Sequence, residues 1–128
     1  MITTTSSFDK PETIFDAAKL AAKILSDKKG KDIVMIEIGE KASFADYFVI
    51  CSGGSERQID ALADEIDDKF AMYGIPLRGR EGQNTSGWIL LDFGDVIVNV
   101  MTEEMRTRYN IEKVWGDCRF INYEEGNE

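Results

Sequence analysis

The strongest pattern in the chain is a pair of apolar stretches on either side of Gly94 and Asp95. The first stretch covers 88–93 and the second covers 96–101, and both are rich in β-branched and aromatic residues. A Gly-X pair between two such stretches is typical of a two-residue hairpin turn. The pattern therefore predicts an antiparallel β-hairpin that turns at Gly94 and Asp95.

Pairing outward from this turn divides the hairpin side chains between two faces, because opposed residues of an antiparallel pair share a face. One face is wholly apolar: Ile89, Leu91, Phe93, Val96, Val98 and Val100. The other adds a carboxylate and an amide: Trp88, Leu90, Asp92, Ile97, Asn99 and Met101. We interpret the first as a core face and the second as a surface for a protein partner. Spacing leaves open the alternative that helices cover both faces and that Trp88 is ordinary core.

Two helices are predicted ahead of the hairpin. Apolar residues recur at helical spacing over 14–25, and we expect this helix to be capped by Asp9 and closed by Gly30. Ser55 and Gln58 form a capping box that opens the second helix. Cys51, which precedes that cap in a predicted strand, is expected to be a small core residue.

These elements together predict a single α/β domain with a mixed sheet of five strands and flanking helices. Three strands are expected besides the hairpin, at 33–38, 47–51 and 77–80, the last at a sheet edge. Thr102 is predicted to cap a short helix that ends at Asn110, and a helical turn follows over 111–115. The predicted domain spans 11–121, between mobile tails at 1–10 and 122–128.

The composition of the chain excludes several functional classes. There is no histidine, so neither a Ser-His-Asp triad nor an HExxH zinc site can form. Fifteen basic and 24 acidic side chains give a formal net charge of −9, which disfavours direct binding to nucleic acid phosphates. No apolar run approaches the length of a membrane span, and there is no secretory pattern. We therefore expect a cytoplasmic protein without metal or cofactor that meets RNA only through a basic protein.

One group of residues suits an enzyme instead. The segment 52–55, Ser-Gly-Gly-Ser, lies between a predicted strand and a helix, where free amides can bind an anion. The GxxxxGK[ST] pattern of a phosphate loop is missing. With Asp92 and Asp95 as metal ligands, Ser52 and Ser55 would fit a small magnesium-dependent nucleotidyltransferase. Because the two acids straddle the turn and no third acid clearly joins them, this enzyme is the alternative hypothesis.

The C-terminal helices carry a mixed cluster of charged and aromatic residues: Arg106, Tyr109, Glu112, Lys113 and Trp115. Arginine and aromatic residues are enriched in protein interfaces. They are equally common where a terminal helix packs on a sheet, and we favour that packing role for Tyr109 and Trp115.

Several separated stretches together resemble the Iojap family, whose bacterial members are ribosomal silencing factors. The resemblance covers 14–117 and depends on Ala45 to Gly53, Ser55, Arg57, Glu81, Gly82, Trp88, Leu91 to Val98, Arg106, Tyr109, Glu112, Lys113 and Trp115. It implies a nucleotidyltransferase-like fold without the catalytic acids. This chain departs from the family pattern at Asn99 and Gln58, where members often carry histidine.

The resemblance also implies a function. Family members bind the large ribosomal subunit through ribosomal protein fourteen, sterically block joining with the small subunit and repress translation, notably in starvation. The contacting tryptophan corresponds to Trp88, in agreement with the hairpin face derived from pairing. The predicted partner-binding set is Trp88, Leu90, Asp92, Ile97, Asn99 and Met101. Self-association of the free protein as a homodimer through the same face is a further expectation.

Overall fold

The hairpin lies in a larger sheet in the computed structural model, which describes residues 9–123. The helices of this part of the chain are α1 Ile14–Asp27, α2 Glu56–Met72, α3 Glu103–Tyr109 and α4 Ile111–Val114. The strands are β1 Lys31–Glu37, β2 Tyr47–Gly53, β3 Gly79–Glu81, β4 Trp88–Asp92, β5 Val96–Thr102 and β6 Arg119–Asn122. A 3₁₀ helix at Asn84–Ser86 leads into β4.

The sheet has the strand order β3-β4-β5-β2-β1-β6 and is mixed, as predicted. The central pair β2 and β5 is parallel, and the pairs β3–β4, β4–β5, β2–β1 and β1–β6 are antiparallel. The predicted count of five strands is wrong by one, because β6 was missed. This strand has four residues, lies at an edge and is largely exposed, so it carries no alternating apolar pattern.

The ends of the domain differ from expectation where the structure describes them. Asn122, the first residue of the predicted C-terminal tail, is the last residue of β6 and pairs with Val34. The rest of that predicted tail beyond 123, and 1–8 of the predicted N-terminal tail, lie outside the described residues. Within the described residues, α1 is therefore the first element of the fold and the edge strand β6 is the last.

The predicted hairpin register is confirmed. Trp88 lies opposite Met101, and Asp92 lies opposite Ile97. The Phe93 amide donates to the Val96 carbonyl over 3.0 Å and closes the turn. Because side chains alternate along a strand, this register sets which residues face α1 and α2 and which face α3 and α4.

The start of α1 corrects one prediction. Thr13, not Asp9, is the cap: its Oγ1 accepts a hydrogen bond from the Asp16 amide at 3.0 Å. Asp9 lies too far upstream to reach the first free amides of the helix. The helix ends at Asp27, and the left-handed conformation that follows is taken by Lys29, at φ 74°, rather than by Gly30.

The other predicted helix ends are confirmed. Ser55 caps α2 by accepting from the Gln58 amide at 3.1 Å, whereas the Gln58 side chain accepts from the Gly54 amide and not from Ser55, so only the first bond of the predicted capping box forms. Thr102 caps α3 by accepting from the Met105 amide at 3.3 Å, and Asn110 ends that helix in a left-handed conformation at φ 46°. Each cap satisfies a backbone amide that the helix leaves without a partner.

The main core lies between the sheet and helices α1 and α2. All six residues of the predicted core face are buried there: Ile89, Leu91, Phe93, Val96, Val98 and Val100. The rings of Phe70 in α2 and Phe93 lie 4.6 Å apart and tie the helix to the hairpin. Each such side chain contributes about 1.5–3 kcal/mol through its removal from water. This layer leaves the opposite face of the sheet to the short helices α3 and α4.

Candidate partner-binding surface

Trp88 stands at the start of β4, beside α3, with its side chain half-buried. Its Nε1 donates a hydrogen bond to Asn99 Oδ1 at 3.0 Å. The Tyr109 ring of α3 packs on the indole, with 5.4 Å between centroids and 46° between ring planes. The indole is therefore held along one edge by a polar contact and on one side by an aromatic ring.

The expectation that the whole mixed face of the hairpin meets water is wrong for β5. Asn99 and Met101 are 0% exposed and Ile97 is 8% exposed. β5 is a central strand, and α3 follows it directly and folds back over the same face, where Met105 packs. β4 has only the three-residue β3 on its outer side, so Trp88, Leu90 and Asp92 remain half-buried.

A groove of about 410 Å³ runs between β4 and α3. Its apolar walls are Trp88 and Leu90 on the sheet side and Met105 and Tyr109 on the helix side. Tyr109 is 52% exposed, so this wall stands open to solvent. An open groove with apolar walls and few polar groups suits an apolar segment of another protein.

Two glycines allow the loop before β4 to lie close to this groove. Gly82 has φ +89°, and a Cβ there would lie 2.1 Å from the Trp88 carbonyl oxygen. Gly87 has φ +79°, and its Cβ would lie 2.5 Å from Met105 Cγ. A larger residue at either position would clash and push the loop away from Trp88. It would also have to adopt a positive φ, which residues other than glycine rarely do.

Asp92 takes part in the hairpin turn. Its Oδ1 accepts a hydrogen bond from the Gly94 amide at 2.8 Å. Gly94 itself has φ +94°, which glycine adopts without strain. The half-buried carboxylate therefore stabilises the turn and also marks the far end of the β4 surface from Trp88.

Arg106 of α3 joins three parts of the fold. Its Nε and Nη2 donate to the two oxygens of Glu112 at 3.1 and 3.0 Å. Its Nη1 donates to the Asp32 carbonyl at 2.7 Å and to Ser52 Oγ at 2.8 Å. The side chain is 13% exposed, so these bonds form in a largely dry setting where a charged donor is strongly held.

Trp115 packs on the sheet, as its sequence context favoured. Its ring lies 5.6 Å from that of Phe48 on β2 and 6.2 Å from that of Phe44 in the loop before it. Tyr109 combines both alternatives, because it packs on Trp88 and is also exposed.

Comparison with known proteins identifies the family. Residues 11–128 match the family model RsfS, described as "Ribosomal silencing factor during starvation". The chain belongs to the ribosomal silencing factor family. It is 39% identical over 108 residues to the ribosomal silencing factor RsfS of Bacillus subtilis, a match that covers 84% of this chain and 92% of the relative.

A solved structure and a plant relative agree with this assignment. A crystal structure of a Chromobacterium violaceum protein superposes with a TM-score of 0.79 at 38% identity, covering 81% of this chain and 87% of the other. The chloroplastic protein Iojap of Arabidopsis thaliana is 34% identical over 114 residues, which is 88% of this chain and 47% of that protein. The predicted resemblance to the Iojap family is thereby confirmed, and so is the α/β fold.

Within this ribosomal silencing factor fold, the residues of the alternative nucleotidyltransferase site lie far apart. β2 and β5 are parallel, with Tyr47 beside Val96 at one end and Gly53 beside Thr102 at the other. Asp95 stands at the first end, and the Ser52–Ser55 segment at the second. Six residue steps of about 3.3 Å separate the two ends by roughly 20 Å. No group of three or more acidic or cysteine side chains able to hold a metal occurs in the described part of the chain.

The proposed anion cradle is occupied by a side chain of the protein itself. Gln58 Oε1 accepts from the Gly54 amide at 2.6 Å, and Gln58 Nε2 donates to the Lys29 carbonyl at 3.1 Å. The Gly54 amide, which could otherwise bind an anion at the N-terminus of α2, is thus already paired. The segment acts as a helix cap, the plainer of the two roles its sequence allows.

The cysteines lie in different environments. Cys51 is 0% exposed in the main core, as predicted, and burial raises the pKa of its thiol to about 12. Cys118 is half-buried near α4, and both thiols are free. None of the helices in the described residues is long and apolar enough to cross a membrane.

Proposed function

We propose that this chain binds the large ribosomal subunit through ribosomal protein fourteen and blocks its joining with the small subunit. Translation is repressed as a result, notably in starvation. The protein acts in the cytoplasm by steric exclusion and not as an enzyme. The observation that carries this proposal is the indole of Trp88, held in one orientation at an open apolar groove.

The groove supplies affinity in this proposal. An oriented aromatic side chain beside an apolar cleft is the arrangement that dominates many protein interfaces, where truncation costs about 2 kcal/mol or more. Because Asn99 and Tyr109 already hold the indole, little conformational freedom is lost when a partner covers it. Trp88 and Leu90 would meet the partner directly, with Asp92 at the margin.

The three buried members of the predicted set support this surface from beneath. Asn99 accepts the indole hydrogen bond, and Met101 lies opposite Trp88 across the hairpin. Ile97 lies opposite Asp92 in the same way. Their substitution would change binding through the position of β4 residues and not through lost contact with the partner.

Charge supports the choice of partner. The chain carries a formal net charge of −9, and a basic ribosomal protein would attract it over several ångströms. The same charge would repel exposed ribosomal RNA, so encounter is favoured where protein is exposed. Self-association of the free protein through the groove stays a prediction.

Cosedimentation with purified large subunits tests the proposal. Trp88→Ala removes the indole and its groove wall, and we expect binding to weaken at least about 30-fold. Trp115→Phe is the matched control, because it changes the other tryptophan while keeping an aromatic ring against Phe48. Thermal melting of both variants establishes that they fold.

A subunit-joining assay completes the test. Wild-type protein added to large subunits should reduce the yield of joined ribosomes, whereas Trp88→Ala should not. Binding by Trp88→Ala at wild-type strength would remove this surface from the interface. Normal joining in the presence of bound wild-type protein would contradict steric exclusion.

A further inference from the structure

We propose that Arg106 is a positioning residue for the binding surface: it sets the place of α3 and so holds Tyr109 against Trp88. This inference rests on the proposed function, because it assigns a residue to the same surface. Arg106 itself lies away from the groove, and its side chain is among the less exposed on α3.

Helices α3 and α4 are not fixed to the sheet by fully buried residues, so other contacts must hold them in place. All their residues are described, and none of them is fully buried. α3 has seven residues and α4 has four, lengths at which a helix is unstable on its own. The partly buried Met105, Ile111 and Trp115 give them a limited apolar contact with the sheet.

Arg106 provides that hold with four hydrogen bonds. The two bonds to Glu112 join α3 to α4 across the left-handed Asn110, and the bonds to Asp32 and Ser52 join both helices to β1 and β2. Asp32 adopts φ 52°, a conformation unusual for a residue with a side chain, where the β1–β2 register is irregular. Such backbone persists where its surroundings over-determine it.

Arg106 acts on the groove through Tyr109, which lies less than one helix turn away on α3. Tyr109 is three residues after Arg106, so the two side chains are neighbours on the surface of α3. The ring of Tyr109 is in turn 5.4 Å from the indole of Trp88. A guanidinium can form the paired bonds to a carboxylate and still reach two further oxygens, whereas a lysine ammonium presents a single point of attachment.

The variant Arg106→Lys tests this role, with Arg108→Lys as matched control. Arg108 lies two residues away on the same helix, is 62% exposed and has a weak ion pair with Glu104 at 3.7 Å. Both are studied in a Trp115→Phe background, which leaves Trp88 as the sole tryptophan. We expect Arg106→Lys to weaken nuclear Overhauser contacts between the Trp88 and Tyr109 rings, and Arg108→Lys to preserve them.

The affinity measurement separates positioning from a general loss of structure. Loss of an aromatic pair corresponds to about three- to tenfold in affinity, so Arg106→Lys should bind large subunits that much more weakly. In a Tyr109→Ala background, where no ring remains to be positioned, the same substitution should change affinity less than about twofold. Equal losses in both backgrounds would overturn the proposal, as would unchanged ring contacts in Arg106→Lys.

Failure of this inference and of the proposed function can be told apart. If wild-type protein does not cosediment with large subunits, the proposed function is wrong. If wild-type protein binds and Arg106→Lys binds equally well, only the role of Arg106 is wrong. Should Arg106→Lys not fold, Glu112→Gln replaces it. This variant keeps the shape of the side chain but leaves one acceptor oxygen where Arg106 now has two, so it should weaken the same ring contacts.

Discussion

Replacing Asn99 by leucine should make the protein more stable and a poorer binder. Asn99 is fully buried, and its Nδ2 has no hydrogen-bond partner among the residues that the structure describes. Its neighbours across the sheet are Leu90 on β4 and Ile50 on β2, so the site is apolar apart from the indole N–H. Leucine branches at Cγ and has the same number of side-chain heavy atoms as asparagine, and its methyl groups suit such neighbours.

The magnitude follows from two opposing terms. Removing a buried, unpaired amide recovers about 1–3 kcal/mol, whereas the hydrogen bond to Trp88 Nε1 contributes about 0.5–1.5 kcal/mol. Trp88 is half-buried, so we expect water to replace part of the lost acceptor. The net gain for Asn99→Leu is therefore about 1 kcal/mol in the free energy of unfolding, or about 4 °C in melting temperature for a chain of this size.

Urea unfolding and cosedimentation measure the two effects in the same variant. Without the Asn99 acceptor the indole is less well oriented, and binding to large subunits should weaken about two- to tenfold. Asn99→Asp is the matched control: it keeps an acceptor for Trp88 but buries a carboxylate, so it should bind more nearly as wild type and unfold more easily. A destabilised Asn99→Leu, or one that binds at full strength, would refute the assigned role of Asn99.

Two other predictions concern the support of the surface and the core. Gly82→Ala should lower the free energy of unfolding by at least about 2 kcal/mol, because φ +89° and contact with the Trp88 carbonyl both oppose a Cβ. Urea unfolding checks this against Gly79→Ala, where a Cβ would meet no atom within 4 Å, and equal losses in the two variants would contradict it. Cys51 should resist iodoacetamide at pH 8 while Cys118 reacts, because burial raises the Cys51 pKa to about 12 and keeps that thiol protonated. Mass spectrometry of the labelled native protein shows which cysteine reacts first, and faster labelling of Cys51 would contradict its burial.

The local features of the fold could be predicted from the chain because their determinants lie close together. The hairpin register follows from the Gly94–Asp95 turn and strand alternation, and the caps at Ser55 and Thr102 each depend on a residue three places onward. The exposed edge strand β6 was missed, because pairing with β1 and not its own pattern makes it a strand. The cap of α1 was misplaced because several residues before it could accept a hydrogen bond.

For the candidate surface too, the chain alone predicted the local feature and not the tertiary one. Strand alternation by itself determined that Trp88, Leu90, Asp92, Ile97, Asn99 and Met101 share a face, because side-chain direction along a strand is a local property. Only the tertiary structure decided which of them meets solvent, because α3 returns over β5 and buries its residues but covers those of β4 only in part. The bonds of Arg106 to partners 54 and 74 residues away hold that helix, and no spacing along the chain encodes contacts of such range.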